Sequence, residues 1–275
     1  LRHEEGQGTM IDTLVQMFDR AHQALFEHAV QPLLFKFGMS NLIEDGFTAT
    51  SWLLIGLLQL AVMWVVFGSL ERWRPVEPVT DRRAVRDDVV YTLIHRLGVF
   101  RLGVFFTLGP VFDELANTLR MRGWNTWHLD GLWPGVTDVA VVAFCLYLAL
   151  FDLVDYWIHR AQHQVHAWWQ LHALQHSQRQ MTMWSDNRNH LLDDVLRDSI
   201  LALLALAVGV APAQFVAIVV VTQLLESLSH SNVRLPFGPV LGKLLVSPAF
   251  HSHNHAIGAG HESSGKGTMG GHNFA

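Results

Sequence analysis

Cysteine is nearly missing from this 275-residue chain: Cys145 stands alone, inside an apolar run. One cysteine excludes an internal disulfide and any thiolate metal cage, and it leaves the redox compartment unread. Charge is scarce too. Asp, Glu, Lys and Arg make up 16% of the residues, against about 25% in an average soluble chain. The net charge is −5 with neutral histidine, so no basic face points to nucleic acid as a partner. The opening "LRHEEGQGTM" has no apolar core, so no secretory signal is visible there. The chain starts without Met and stops at "HNFA", so both ends read as trimmed. There is no internal repeat. The one low-complexity tract, "GAGHESSGKGTMGG" near the end, reads as loop.

What is abundant is hydrophobic. Half of the residues are apolar and ten are Trp, and the mean hydropathy is +0.23, a balance that points to the membrane. Residues 47–70 carry no charge, and about 20 apolar residues suffice to cross a bilayer. Two further candidates are 97–112, weakened by Arg101 and Pro110, and 132–151, with Asp138 near its start. A fourth run, 199–225, is uncharged but broken at Pro212. Arg72, Arg74, Arg82, Arg83, Arg86 and Arg96 crowd the loop after the first span, whereas Arg2, Arg20 and Lys36 precede it among many acids. The positive-inside rule places that loop in the cytoplasm and the N-terminus outside. Two more crossings return the chain to the cytoplasm near Trp157. A single crossing at 199–225 would strand the later histidines on the far side. Split at Pro212, the run becomes two halves of about 13 residues, near 20 Å each and too short for a core of about 30 Å. A re-entrant hairpin fits, with proline at its turn.

Twelve of the 17 histidines lie between His159 and His272, and their spacing repeats. His159 and His163 are four apart, as are His172 and His176. His190, His230, and the cluster His251, His253 and His255 follow. Residues at i and i+4 share a helix face about 6 Å apart, so each pair can aim at one point. The five scattered histidines (His3, His22, His28, His95 and His128) read as surface or interfacial residues. A catalytic zinc takes three protein ligands and a structural one four, so about eight histidines suit two ions. Imidazole binds iron, copper, zinc and nickel alike, which leaves the element open. The zinc-protease pattern HExxH is absent. Asp155 precedes His159 by four, and Glu226 precedes His230 by four. Each could orient its histidine through the second ring nitrogen, or serve only in salt bridges. Trp157, Trp168, Trp169 and Trp184 read most simply as interfacial aromatics. A haem held between spanning helices would need histidine inside the apolar runs, and 47–70, 139–151 and 199–225 contain none. A proton relay would need ionisable groups at mid-membrane, and only Arg101 and Asp138 come near.

These boxes together resemble the fatty acid hydroxylase/sterol desaturase superfamily of integral-membrane di-iron enzymes. "HRAQH" is similar to its first box, HxxxH; "HALQHS" and "FHSHNH" are similar to the second and third, both HxxHH. "RNH", "SHSN", Ser247–Pro248 and the terminal "NFA" support the likeness, which covers about 139–275. Two positions depart from it. Gln175 and Asn254 stand where the family has histidine, with His253 an unusual extra.

The resemblance implies an all-α integral membrane protein with about three spanning helices and a re-entrant hairpin. A cytoplasmic His-rich cap would hold a dinuclear site. It implies metal ligands His159, His163, His172, His176, His190, His230, His251 and His255. Gln175, His253, Asn254, Asp155 and Glu226 are possible ligands or supports. It further implies two iron ions, O2 as co-substrate, a lipid substrate drawn from the bilayer, and an external ferredoxin- or cytochrome b5-type electron donor. The reaction would be hydroxylation or desaturation of a sterol, fatty acyl or related lipid. The chain then divides into an amphipathic, extracytoplasmic 1–46, a membrane and Arg-rich part 47–138, and a catalytic part 139–275, cut short at its C-terminus. The location implied is the bacterial inner membrane, or the endoplasmic reticulum in a eukaryote, with the site facing the cytoplasm. A non-catalytic metal-binding relative with a degenerate site, or a haem or quinone electron carrier, are the alternatives.

Overall fold

The computed structural model describes residues 10–178 and 180–255. Among them the chain is helical, with a single isolated bridge between Pro75 and Val233. Helix α1 (Met10–Leu25) is amphipathic. Leu14, Val15 and Met17 are exposed, whereas His22 is buried and meets the Phe47 carbonyl at 2.8 Å. A π-helical turn joins it to α2 (Gln31–Lys36).

Helix α3 (Ile43–Val62) passes through a second π turn into α4 (Gly68–Trp73), giving a candidate span of 34 residues, Ser40–Trp73. Its exposed side carries Leu57, Leu58, Val62, Trp64 and Val65, and its buried side Gly56, Gln59, Met63 and Phe67. Small and polar residues such as Gly56 and Gln59 facing inward suit a lipid-facing helix, because packing and hydrogen bonds hold such helices together. At Gly56 the backbone of Arg96 comes so near that a Cβ would collide with the Arg96 carbonyl. Only glycine allows that crossing.

Helix α5 (Arg82–Arg96) is capped by Asp81, whose carboxylate accepts from the Arg83 and Ala84 N–H groups. It is a charged helix held inside by ion pairs. Arg96 is buried and donates to Asp186 at 2.8 Å, to Ser227 at 2.8 Å and to Gln223 at 2.8 Å. Asp88 pairs with Arg188, and His95 meets Asp194 at 2.9 Å. Helix α6 (Val99–Met121) follows, with Pro110 inside it. The run expected at 97–112 is therefore the first part of a longer helix that also contains Asp113, Glu114 and Arg120. It is not among the helices apolar enough to cross.

Helix α7 (Ala140–Gln164) is a candidate span of 25 residues. It begins later than the expected 132, since 129–138 are turns, and it runs on past 151 to carry His159 and His163 on its last turns. Near its other end Tyr147 is buried. Its hydroxyl accepts from the Leu129 N–H at 3.1 Å and donates to Asp130 at 3.0 Å. Helix α8 (His166–His172) and a 3-10 turn, Gln175–Ser177, come next.

The hairpin expected at Pro212 is present, formed by α9 (Leu191–Val208) and α10 (Pro212–His230). Gly209 ends α9 in the left-handed conformation, φ +59°, with His128 against it. Pro212 sits in the first turn of α10, where its missing N–H costs nothing. The arms are 18 and 19 residues, not about 13. Asp193, Asp194, Arg197 and Asp198 lie within α9, and α10 continues to His230. At 1.5 Å per residue the arms measure about 27 and 28 Å, and α10 is the third candidate span. The two arms return the chain to the end it left, which brings His230 to the α7 histidines. Short α11 (Gly238–Leu241) and α12 (Pro248–His255) complete the described chain. Glu71, at the end of the first span, ties the site's loops together by accepting from the Met183 N–H at 2.7 Å and the Asn232 N–H at 2.8 Å.

Candidate metal centre

Seven histidines meet in two groups. His159, His163, His172 and His176 form one, and His230, His251 and His255 the other; within each, one ligand atom per residue lies within 4.8 Å of the rest. The i,i+4 pairs of α7 and α12 place their rings as the sequence pattern requires. His159 and His163 approach Nε2 to Nε2 at 3.0 Å, and His255 and His251 at 3.2 Å. His230 brings its Nε2 to 3.1 Å from that of His251. The groups abut: the His176 and His255 rings stack 4.2 Å apart at 13°, and His159 and His251 are 6.5 Å apart.

The protons on these rings follow from their outer partners. His172 Nδ1 faces the Asp193 carboxylate at 3.0 Å, and His230 Nδ1 faces the Glu226 backbone carbonyl at 2.9 Å. A carboxylate and a carbonyl only accept, so both Nδ1 atoms carry hydrogen and both Nε2 atoms turn bare lone pairs inward. The Nε2 atoms of His172 and His176 and the Nδ1 of His255 are buried without a hydrogen-bond partner. Burial, and after it the neighbouring imidazoles, hold His176, His251 and His255 well below the ordinary histidine range. Neutral rings with converging lone pairs repel one another unless a cation lies among them. Four nitrogens at about 2.0–2.1 Å from a tetrahedral ion would stand about 3.3 Å apart, close to the observed separations. The residues present fit two metal ions.

Asp193 is the support that sequence reading missed. Its Oδ1 accepts from Gln162 at 2.8 Å and from the Trp168 indole at 2.7 Å, and its Oδ2 from His172. Trp168 is thus a hydrogen-bond donor beneath the site and not a simple interfacial aromatic. Trp169 packs its ring 5.2 Å from His163 and 5.3 Å from His176. No local period links positions 172 and 193. The available signal was an acid in the first turn of the helix that follows "RNH".

Other expected residues have different places. His190 is exposed and joins neither group; its Nδ1 accepts from the Leu192 N–H as the cap of α9. Asp155 pairs with Arg197 at 2.7 and 2.8 Å, and the Glu226 carboxylate lies 3.7 Å from the same guanidinium. Both acids therefore pair with Arg197, and His230 is oriented by the Glu226 backbone instead of its side chain. Gln175 is buried, with its amide nitrogen 3.3 Å from His230 Nε2. The side chains of His253 and Asn254 lie outside the described residues.

Comparison with known proteins agrees with this geometry. Residues 144–269 match the family described as fatty acid hydroxylase, a stretch containing all seven grouped histidines. The chain is similar to an ornithine lipid hydroxylase, OlsE, of Rhizobium tropici, at 26% identity over 194 residues. That alignment covers 70% of this chain and 56% of the relative, so the chain spans little more than half the relative's length. No solved structure matches the chain.

Proposed function

We propose that this chain, which belongs through residues 144–269 to the fatty acid hydroxylase superfamily, is a membrane di-iron oxygenase that hydroxylates an acyl chain of a polar lipid. The observation that carries this reading is the pair of abutting histidine groups, whose ring nitrogens converge beside the ends of two apolar helices. Two iron ions, when bound there, would supply the reduction of dioxygen that attacks an unactivated C–H bond. One oxygen atom enters the lipid and the other leaves as water, which consumes two electrons and two protons. An external donor, ferredoxin- or cytochrome b5-type, would deliver the electrons at the cytoplasmic face that the arginine bias of residues 71–96 favours.

The chain's own residues have four tasks. The imidazoles hold the ions. Asp193 and the Glu226 carbonyl fix two ring tautomers. Trp169 covers the first group and keeps water from it. The exposed apolar sides of Ser40–Trp73, Ala140–Gln164 and Pro212–His230 let a lipid reach the site sideways from the bilayer. Hydroxylation is favoured over desaturation by the family description and by the relative's name, which also motivates a polar lipid. The haem reading fares worse, because a haem takes at most two axial ligands on opposite faces of its ring, whereas four and three imidazoles converge in the two groups. A degenerate, non-catalytic site would have little use for the Asp193 support.

Lipid mass spectrometry of cells expressing the chain with a competent reductase tests the reading. A lipid heavier by one oxygen atom is expected, absent from the His159→Ala/His176→Ala variant. Identical lipids from both strains under aerobic conditions would overturn it. A lipid lighter by two hydrogens would replace hydroxylation with desaturation.

A further inference from the structure

The two histidine groups are not equal. Among the described residues the first offers four imidazoles and the second three, and a glutamine amide lies beside His230 of the second. Gln175 and His176 are consecutive on a 3-10 turn, where successive side chains point about 120° apart. His176 accordingly enters the first group, while Gln175 reaches the second and meets His230 Nε2 at 3.3 Å. That Nε2 is bare, because Nδ1 of the same ring donates to Glu226. The amide N–H of Gln175 therefore donates to the lone pair that a metal ion would need. Loading the second group must break this hydrogen bond. The amide can then present its oxygen by a half-turn about its last side-chain bond, since its two ends have nearly the same shape.

We propose that the metal pair is unequal by construction: the four-imidazole group binds first and tightly, and the three-imidazole group binds second and weakly, with Gln175 as its fourth, oxygen ligand. The proposal rests on the dinuclear reading above. Two terms weaken the second position. An amide oxygen suits hard, oxygen-seeking cations, whereas imidazole suits iron, copper and zinc. The Gln175–His230 hydrogen bond, moreover, competes with the ion for one lone pair. Displacing a partner that merely orients a ligand costs about 10–100-fold in metal affinity, so a gap of at least about tenfold between the two positions is expected. The labile ion would be the one next to His230, His251 and His255, and limiting metal would leave chains holding one ion.

Titrating the detergent-solubilised full chain, stripped with a chelator, with Zn2+ or Co2+ by calorimetry and visible absorption reads this without turnover. Wild type should take up one equivalent tightly and a second at least about tenfold more weakly. Gln175→His should bring the second step up toward the first. Gln175→Leu should weaken the second step and leave the first unchanged. His251→Ala should abolish the second step alone, which identifies the group that fills last. Two equal steps in wild type overturn the inequality. A gap that neither Gln175 variant moves overturns the role of the amide. If no variant and no wild-type preparation binds either ion, the metal reading itself falls, which is a different result from either of these.

Discussion

Asp193→Asn isolates the contribution of one carboxylate without changing its shape. The wild-type side chain accepts three hydrogen bonds: two at Oδ1, from Gln162 and Trp168, and one at Oδ2, from His172. An asparagine has one oxygen and one NH2. Placing the oxygen at the Oδ1 position keeps two of the three bonds and turns the NH2 toward His172. Two N–H groups would then face each other, so the imidazole must shift its proton from Nδ1 to Nε2. The lone pair that pointed into the first group disappears from it. The opposite orientation sacrifices two bonds and is worse. Altering such an outer partner costs about 10–100-fold in metal affinity, or about 1.4–2.8 kcal/mol at 1.4 kcal/mol per tenfold. Metal titration should show the first, tight step weakened by that factor, with lipid hydroxylation reduced in parallel. In a double-mutant cycle, Asp193→Asn should cost far less on a His172→Ala background, because the ring it acts through is gone. Wild-type affinity in Asp193→Asn, or the same penalty on both backgrounds, would refute the tautomer argument.

The remaining predictions concern residues away from the two groups. Burial alone would depress the pKa of His95, but the hydrogen bond and charge of Asp194 outweigh it and the value is raised. A raised folded value means stabilisation that is complete below the unfolded pKa of about 6.5 and lost as pH rises through the folded value. Thermal unfolding in detergent should therefore show an alkaline decline of about 1–2 kcal/mol, which His95→Gln flattens; an unchanged decline would show that the pair contributes nothing. His190→Ala should remove a helix cap worth about 1 kcal/mol while leaving both metal equivalents in place. Loss of one equivalent on titration would instead return His190 to the ligand set.

The sequence made the spans legible wherever charge was absent over a long run, as at 47–70. It misplaced the ends wherever a helix continues into charged residues. The α9 arm is the clearest case. Asp193, Asp194, Arg197 and Asp198 look like an end to a membrane segment, yet this stretch is engaged in the fold: Asp193 has His172, Asp194 has His95, and Arg197 has Asp155. Partners at separations of 21, 99 and 42 residues leave no trace in a local period. The histidine groups show the converse. Histidines four apart meet because one helical turn brings them together, and His230 joins them because the hairpin returns the chain. His190 stands apart from both groups: it opens a helix, and its side chain is engaged by the backbone two residues on.

Charge balance gives a reason why the histidines stand where they do. Neutral imidazoles contribute no negative charge, so two divalent cations would bring about four positive charges into a buried place with little to offset them. His163 lies in the last turn of α7, His172 is the last residue of α8, His230 is the last of α10, and His255 the last described residue of α12. Helices α7, α8 and α10 present their C-terminal ends to the site, and such an end carries roughly half a negative charge on carbonyls left without intrahelical partners. Three such ends supply roughly a third of what two divalent ions would require, and Asp193, acting through His172, adds one full charge to the first group. Among the described residues the partners of this kind in the second group are the Glu226 carbonyl and the Gln175 amide. Dipole and charge thus point the same way as the count of imidazoles. An ion beside His159 and His172 would be the better neutralised of the two, and an ion beside His230 the one more readily given up.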